Sequence, residues 1–170
     1  MLSRMSKKDL ISWVRLYRTP NVGAVTFFAL LKVYQTPENA LNALPKIASS
    51  NKKLSKICSI PEAESEIEKV EKFGARILTY VESDYPQILK NLSDPPPVLT
   101  IFGDVTILKK DMIAIVGGRN ASLNGINFAN KLAHEITDAG FITVSGLAKG
   151  IDTAVHNVSF HSKPTVSVMG

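Results

Sequence analysis

Two glycine-rich loops in the last third of the chain each carry one cation among residues suited to anion binding. The seven candidate binding residues are Gly117, Gly118, Arg119, Ser145, Gly146, Lys149 and Gly150. Glycine lets the backbone approach a ligand closely because no Cβ stands in the way. A guanidinium offers a planar fork to a phosphate, an ammonium offers a point charge, and a serine hydroxyl can donate a hydrogen bond. These residue types predict an anionic ligand, and a phosphate fits them best.

The elements around the loops follow the pattern of a parallel α/β sheet. Apolar runs predict strands at 112–116, 141–144 and 165–169. Amphipathic stretches predict helices at 122–139 and at about 150–161. This alternation is half of a doubly wound α/β fold. Since ligands of such sheets bind beyond the carboxyl ends of the strands, we expect the two loops to be neighbours.

Each loop also leads into a predicted helix, whose first N–H groups and positive dipole end favour an anion. The first loop lacks the G-x-G-x-x-G pattern, and no acid follows the second strand where a ribose hydroxyl would need it, so dinucleotide binding is disfavoured. The chain also lacks the G-K-[ST] sequence of a nucleoside-triphosphate loop. We therefore predict no cofactor.

The remaining reactive side chains form no catalytic or metal-binding pattern. His134, His156 and His161 lie near no cysteine and no convergent set of carboxylates, so we interpret them as surface or capping histidines. Ser145 lacks the G-x-S-x-G elbow of a nucleophile, and Asp152 is typical of a residue that stabilises a helix start. We predict no catalytic residue and no metal site, and a protein that is not an enzyme.

The first 72 residues read as a small all-α domain. Four helices are expected at about 7–18, 24–34, 37–44 and 61–73, with Pro45 ending the third. The turn at 21–23 weakly resembles a helix-hairpin-helix or SAM-like module, and a bundle used for packing or protein contact remains an alternative. Strands at 75–81 and 98–102 follow, so we place an α/β domain over residues 73–170.

Positive charge is concentrated near the start of the chain. Residues 1–60 carry ten Lys and Arg against two acids, whereas residues 61–110 carry nine acids against six bases. An excess of this kind favours a polyanion, but a solvated helix face has the same composition. Charge alone leaves both interpretations open.

The cellular location follows from cysteine content and hydropathy. The single cysteine, Cys58, cannot form an internal disulfide, which fits a reducing cytoplasm. The N-terminus lacks the apolar run of a signal peptide, and no stretch approaches the 18 apolar residues of a membrane span. We expect a cytoplasmic protein with no membrane partner.

The loops and their strands resemble the signature of the DNA-processing protein A (DprA/Smf) family. The matching positions are IVGGR at 115–119, Gly125, VSGLAKGID at 144–152, Ala154 and His156. Segments at 84–89 and 94–103 are also similar to the family. The resemblance is good over residues 75–170 and loose over 8–60, in the place of the family's SAM-like domain.

This resemblance implies an extended Rossmann-like domain, here partial, that binds single-stranded DNA without catalytic turnover. Members of the family act in DNA uptake and natural transformation and help load the RecA recombinase. Carried onto this sequence, the phosphate contacts are Gly117 and Arg119 in the first loop and Ser145, Gly146 and Lys149 in the second.

The sequence departs from the family at three points. Gly118 stands where the family usually has Ser or Thr, and Asn124 stands where it has Tyr. The chain stops at Gly170, before the family's remaining strands and its dimerisation surface. We therefore expect a truncated or split reading frame or a fragment, and we do not carry the family's homodimer over to this chain.

Two other functions remain open. A nucleotide-processing enzyme of the lysine-decarboxylase-like (LOG) group would have a similar core, although its second loop reads G-G-x-x-G-L-M-G. The chain could also be an inactive truncated remnant, since a parallel sheet cut after its third strand leaves apolar surface uncovered.

Overall fold

Residues 5–50, 56–161 and 163–169 are described by the computed structural model. They belong to two units, which meet in sequence at Val105 and Thr106. No helix within these ranges has the length and apolar character that crossing a membrane requires.

The first unit begins with four helices. They are α1 (Lys7–Arg18), α2 (Ala24–Tyr34), α3 (Pro37–Ser50) and α4 (Ile60–Lys72). Ser6 caps α1, because its hydroxyl oxygen accepts the Asp9 N–H at 3.1 Å. The apolar faces of the helices meet around Trp13, Leu16 and Phe27, all of which are buried. The predicted helical domain at the start of the chain is confirmed.

Helix α3 continues past Pro45, so the prediction that this proline ends the helix is wrong. A proline inside a helix loses one backbone hydrogen bond and crowds the preceding turn. Ala40 and Leu44 are fully buried, and Ile47 packs against the same core, so one apolar stripe runs along α3 on both sides of the proline. This tertiary packing outweighs the local cost of the proline.

An antiparallel hairpin completes the first unit. Strand β1 (Ala75–Thr79) pairs with β2 (Val98–Phe102), and the one-turn helix α5 (Gln87–Lys90) lies between them in sequence. Ile77 and Val98 join the hydrophobic core of the helices. The first unit therefore extends past residue 100 because the hairpin packs on the helices. The division into domains at 1–72 and 73–170, which follows the change from helices to strands, stays a prediction.

The second unit is a three-stranded parallel sheet with two helices. After a 3-10 turn (Val105–Lys109), its elements are β3 (Met112–Ala114), α6 (Leu123–Asp138), β4 (Ile142–Ser145), α7 (Ile151–His156), a second 3-10 turn (Asn157–His161) and β5 (Thr165–Ser167). The strand order is β3-β4-β5 with all neighbours parallel. The predicted α/β class and parallel sheet are confirmed, and the loops after β3 and β4 lie at the same edge.

Both helices of this unit lie on one face of the sheet. They pack on β4 and on each other, through a core that contains Ala129, Ala133, Ala154 and Val155. Successive parallel strands joined by crossovers of the same hand place their helices on the same side. Within the described residues the sheet therefore shows one of the two helix layers of a doubly wound fold.

A capping box at the start of α4 generates a stability prediction. The Ser59 hydroxyl oxygen accepts the Glu62 N–H at 3.3 Å, and the Glu62 carboxylate accepts the Ser59 N–H at 2.8 Å. Ser59→Ala should lower the free energy of unfolding by about 1 kcal/mol, measured by urea denaturation. Ser65→Ala, at an exposed position inside the same helix, is the control. Equal losses in the two variants would contradict the capping role.

Candidate functional site

The two glycine-rich loops touch each other at the carboxyl edge of the sheet. The Ile151 N–H donates to the Gly118 carbonyl oxygen at 3.3 Å. Gly150 adopts φ +83°, and a Cβ at this position would lie 2.6 Å from the Arg119 carbonyl oxygen and closer still to that of Gly118. Only glycine fits between the loops here, so the expected juxtaposition of the two loops is present.

The glycines serve mainly contacts within the protein. A Cβ at Gly117 would lie 2.6 Å from Cγ1 of Ile151, and one at Gly146 would lie 2.7 Å from Oδ2 of Asp152. A Cβ at Gly118 would meet nothing within 4 Å. We expected the glycines to admit a ligand, and of the four in these loops Gly118 is the one that borders open space.

Side chains from the start of α7 hold the second loop in shape. The carboxylate of Asp152, which is buried, accepts the Ala148 N–H at 3.3 Å. The Thr153 hydroxyl donates to the Ala148 carbonyl oxygen at 2.7 Å. The sequence predicted only that Asp152 stabilises the helix start, and its role in the loop was missed. The spacing could have revealed this role, because a carboxylate four residues after Ala148 can reach back to accept its backbone N–H.

The same loop holds Leu147 in an unusual conformation. Its φ is +61°, in the left-handed region that a leucine rarely adopts, and its side chain is 56% exposed. Gly146 precedes it and the Ala148 backbone, bonded to Asp152 and Thr153, follows it. The hydrogen-bonded loop therefore presents the apolar side chain of Leu147 to solvent. Residue type and spacing did not reveal this feature.

The two loop cations are exposed and form no ion pair or hydrogen bond within the described part of the chain. They are Arg119 and Lys149. Several other cations have an acidic partner: Arg18 bonds Glu66 at 2.8 Å, and Lys8 bonds Glu38 at 3.0 Å. Free guanidinium and ammonium groups on two touching loops leave positive charge for an external anion.

Ser145 does not have the role that we expected. It is 3% exposed, and its hydroxyl donates to the Ile115 carbonyl oxygen at 2.7 Å. This bond ties the end of β4 to the residue after β3, so the hydroxyl is not directed to a ligand. Its burial comes from the pairing of the strands, which residue type and loop position did not reveal.

The helix starts contribute less than expected. The Ser122 hydroxyl oxygen accepts the Gly125 N–H at 3.2 Å and caps α6 from within the protein. At α7 the Ile151 N–H already donates to the Gly118 carbonyl oxygen. The helix has only six residues before the second 3-10 turn begins. The predicted anion site therefore rests on the two cations and the open side of Gly118.

His156 is half-buried in the last turn of α7, and its ring contacts Thr165 of β5. Its Nδ1 lies 2.9 Å from the Thr165 Oγ1, which lies 3.1 Å from the Thr143 carbonyl oxygen. Among the described residues, no hydrogen-bond partner reaches the buried Nε2. Burial lowers the pKa of His156, although the nearby Asp152 carboxylate opposes the shift. Within the described ranges no three His, Cys, Asp or Glu side chains converge as a metal site would require.

Comparison with known proteins places both parts of the chain. Residues 76–170 match the family model for DNA recombination-mediator protein A. Residues 7–68 match the model for a DprA-like N-terminal HHH domain. The chain is 42% identical to the DNA processing protein DprA of Bacillus subtilis over 91 residues, which are 53% of this chain and 31% of that protein. It is 26% identical to protein Smf of Synechocystis over 98% of this chain and 45% of the relative.

A solved structure has the same fold. The X-ray structure of DNA processing protein A (DprA) from Streptococcus pneumoniae superposes with a TM-score of 0.65 at 20% identity, covering 98% of this chain and 58% of that one. This likeness confirms the expected architecture of a helical domain followed by a Rossmann-like domain. The matched segments cover 31%, 45% and 30% of the three curated relatives, which is less than half of each.

The contact at Gly150 gives a prediction for the site's framework. Gly150→Ala combines a strained φ with overlap on the first loop, so it should destabilise the second unit by about 2–4 kcal/mol. Circular dichroism melts would measure the loss. Gly118→Ala in the facing loop is the matched control, because its Cβ meets open space. A Gly150→Ala variant as stable as that control would show that the loops do not pack as described.

The half-buried imidazole of His156 predicts a pH dependence of stability. Because the folded pKa of His156 lies below its ordinary value, the unfolded chain binds more protons as the pH falls. Stability should be full above about pH 6.5, the ordinary histidine pKa, and should decline below it. His156→Asn, which can still bond Thr165, should flatten this decline in melts recorded from pH 8 to pH 5. An unchanged pH profile would contradict the burial of a neutral His156.

Proposed function

Because this chain belongs to the DNA recombination-mediator protein A (DprA/Smf) family, we propose that it binds single-stranded DNA and acts without catalytic turnover. The observation that carries the proposal is the pair of free cations, Arg119 and Lys149, on two loops held in contact. Phosphate groups of a strand are the partners that such groups bind most strongly.

The exposure of the site favours a polymer over a small nucleotide. Arg119 and Lys149 are both exposed, and a Cβ at Gly118 would meet nothing within 4 Å. A small ligand is usually held in a concave pocket that covers most of its surface. A strand instead lies across an open face and gains affinity from several phosphate contacts.

The helical domain has a supporting role in this proposal. The turn between α1 and α2 leaves the start of α2 at Gly23 without a side-chain cap, so its backbone is open to an external group. Part of the positive charge of this region is already neutralised, since Lys8 and Arg18 form ion pairs. We place the main contact in the second unit and a weaker, sequence-independent contact here.

The cellular role that we propose is DNA processing during natural transformation and recombination. Relatives of this chain are described as DNA processing proteins. Delivery of the bound strand to the RecA recombinase in the cytoplasm is part of the same proposal, as is the absence of enzymatic activity.

Removal of the two cations tests the proposal. Arg119→Ala with Lys149→Ala should weaken binding of a fluorescent oligothymidylate severely, because each charge-assisted contact contributes about 1.5–3 kcal/mol, roughly 10- to 100-fold in affinity. Fluorescence anisotropy at several salt concentrations measures the affinity. The affinity of the double variant should fall less steeply with salt than that of the unmodified chain.

Lys131→Ala is the control that removes a cation outside the site, since Lys131 lies on α6 and pairs with Glu135 at 3.7 Å. It should bind nearly as the unmodified chain does. A double variant that keeps full affinity and still melts cooperatively would refute the site. No binding by a cooperatively folded unmodified chain would refute the function.

A further inference from the structure

We propose that Leu147 is a nucleobase contact, so that the second loop binds a base as well as a phosphate of the single strand. The inference rests on the proposed function and assigns a new residue to it. Three properties of Leu147 lead to it: its backbone conformation, its exposure and its position in the loop that carries Lys149.

The backbone conformation of Leu147 is costly for a leucine. At φ +61° the Cβ of an L-residue crowds the neighbouring carbonyl oxygen, and glycine would occupy this position without strain. Conformations of this kind persist where the surroundings impose them, and they cluster at ligand-binding sites. Here the bonds from Asp152 and Thr153 to Ala148 impose the conformation.

The side chain of Leu147 contributes little to the stability of the fold. It is 56% exposed and belongs to neither of the hydrophobic clusters that the described residues form. A leucine that strains its backbone and remains largely outside the core contributes less to stability than a glycine would at the same φ. Its use must therefore lie in what it contacts outside the chain.

The surroundings of Leu147 indicate which ligand fits. Lys149 lies two residues away in the same loop, and the Arg119 backbone contacts the end of that loop at Gly150. A ligand that contacts both Leu147 and Lys149 must therefore carry a negative charge and an apolar surface close to each other. A nucleotide of a single strand does so, since its base is unpaired and its faces are open. A duplex keeps those faces stacked inside the helix.

The experiment compares two oligonucleotides of equal length, one of thymidines and one of abasic sites, binding to the full chain. The unmodified chain should bind the thymidine strand about fivefold more tightly, the value of partly burying one leucine. Leu147→Gly should lose this preference and bind both strands as the unmodified chain binds the abasic one. Its melting temperature should stay equal or rise, because glycine relieves the strain.

Two further variants make the test specific. Leu147→Asn tolerates the left-handed conformation and keeps a side chain of similar length without its apolar surface, so it should behave as Leu147→Gly does. Leu92→Gly removes another half-exposed leucine, 50% exposed and located in the first unit, and should leave both affinities unchanged.

The outcomes separate this inference from the proposed function. If the unmodified chain binds neither strand, the proposed function fails and the inference fails with it. If it binds both strands equally, or if Leu147→Gly keeps the thymidine preference, the function stands and the base contact is refuted; a protein partner for Leu147 would then be indicated. A lower melting temperature or an equal loss for both strands in both Leu147 variants would assign Leu147 a structural role and overturn the inference.

Discussion

The close packing of Gly150 against the carbonyl oxygens of Gly118 and Arg119 is the constraint on which the site depends. It brings together two loops that are some 30 residues apart in sequence, and no side chain larger than hydrogen fits at that point. The parallel sheet makes the contact possible, because β3 and β4 are neighbours and end at the same edge. Without it Arg119 and Lys149 would belong to two independent loops.

The loops are hydrogen-bonded and closely packed where the protein contacts itself, and exposed where the proposed ligand would lie. Asp152 and Thr153 bond the Ala148 backbone, and Ser145 bonds the strand beside it. Arg119, Lys149 and Leu147 are among the exposed side chains of the two loops. A preorganised arrangement of this kind would reduce the entropy lost in the proposed binding.

Local signals and tertiary packing disagree at particular residues. Pro45 is a helix-ending residue by its own chemistry, yet the buried stripe of α3 carries the helix past it. Ser145 has the residue type of a phosphate ligand, yet strand pairing buries its hydroxyl. His156 has no partner nearby in sequence, but β5 brings Thr165 to its ring. The Ser145 partner lies 30 residues away and the His156 partner nine, so each contact depends on how separate elements pack.

The sequence by itself determined the α/β class, the helical domain before it, the parallel character of the sheet and the two loops that carry the cations. These follow from apolar periodicity and residue type, which are local properties. Only the tertiary structure decided which glycines are needed for packing, that the Ser145 hydroxyl is already bonded, and that Leu147 is held strained and exposed. Those features depend on distances between loops and strands, and such distances arise only when segments far apart in sequence pack together.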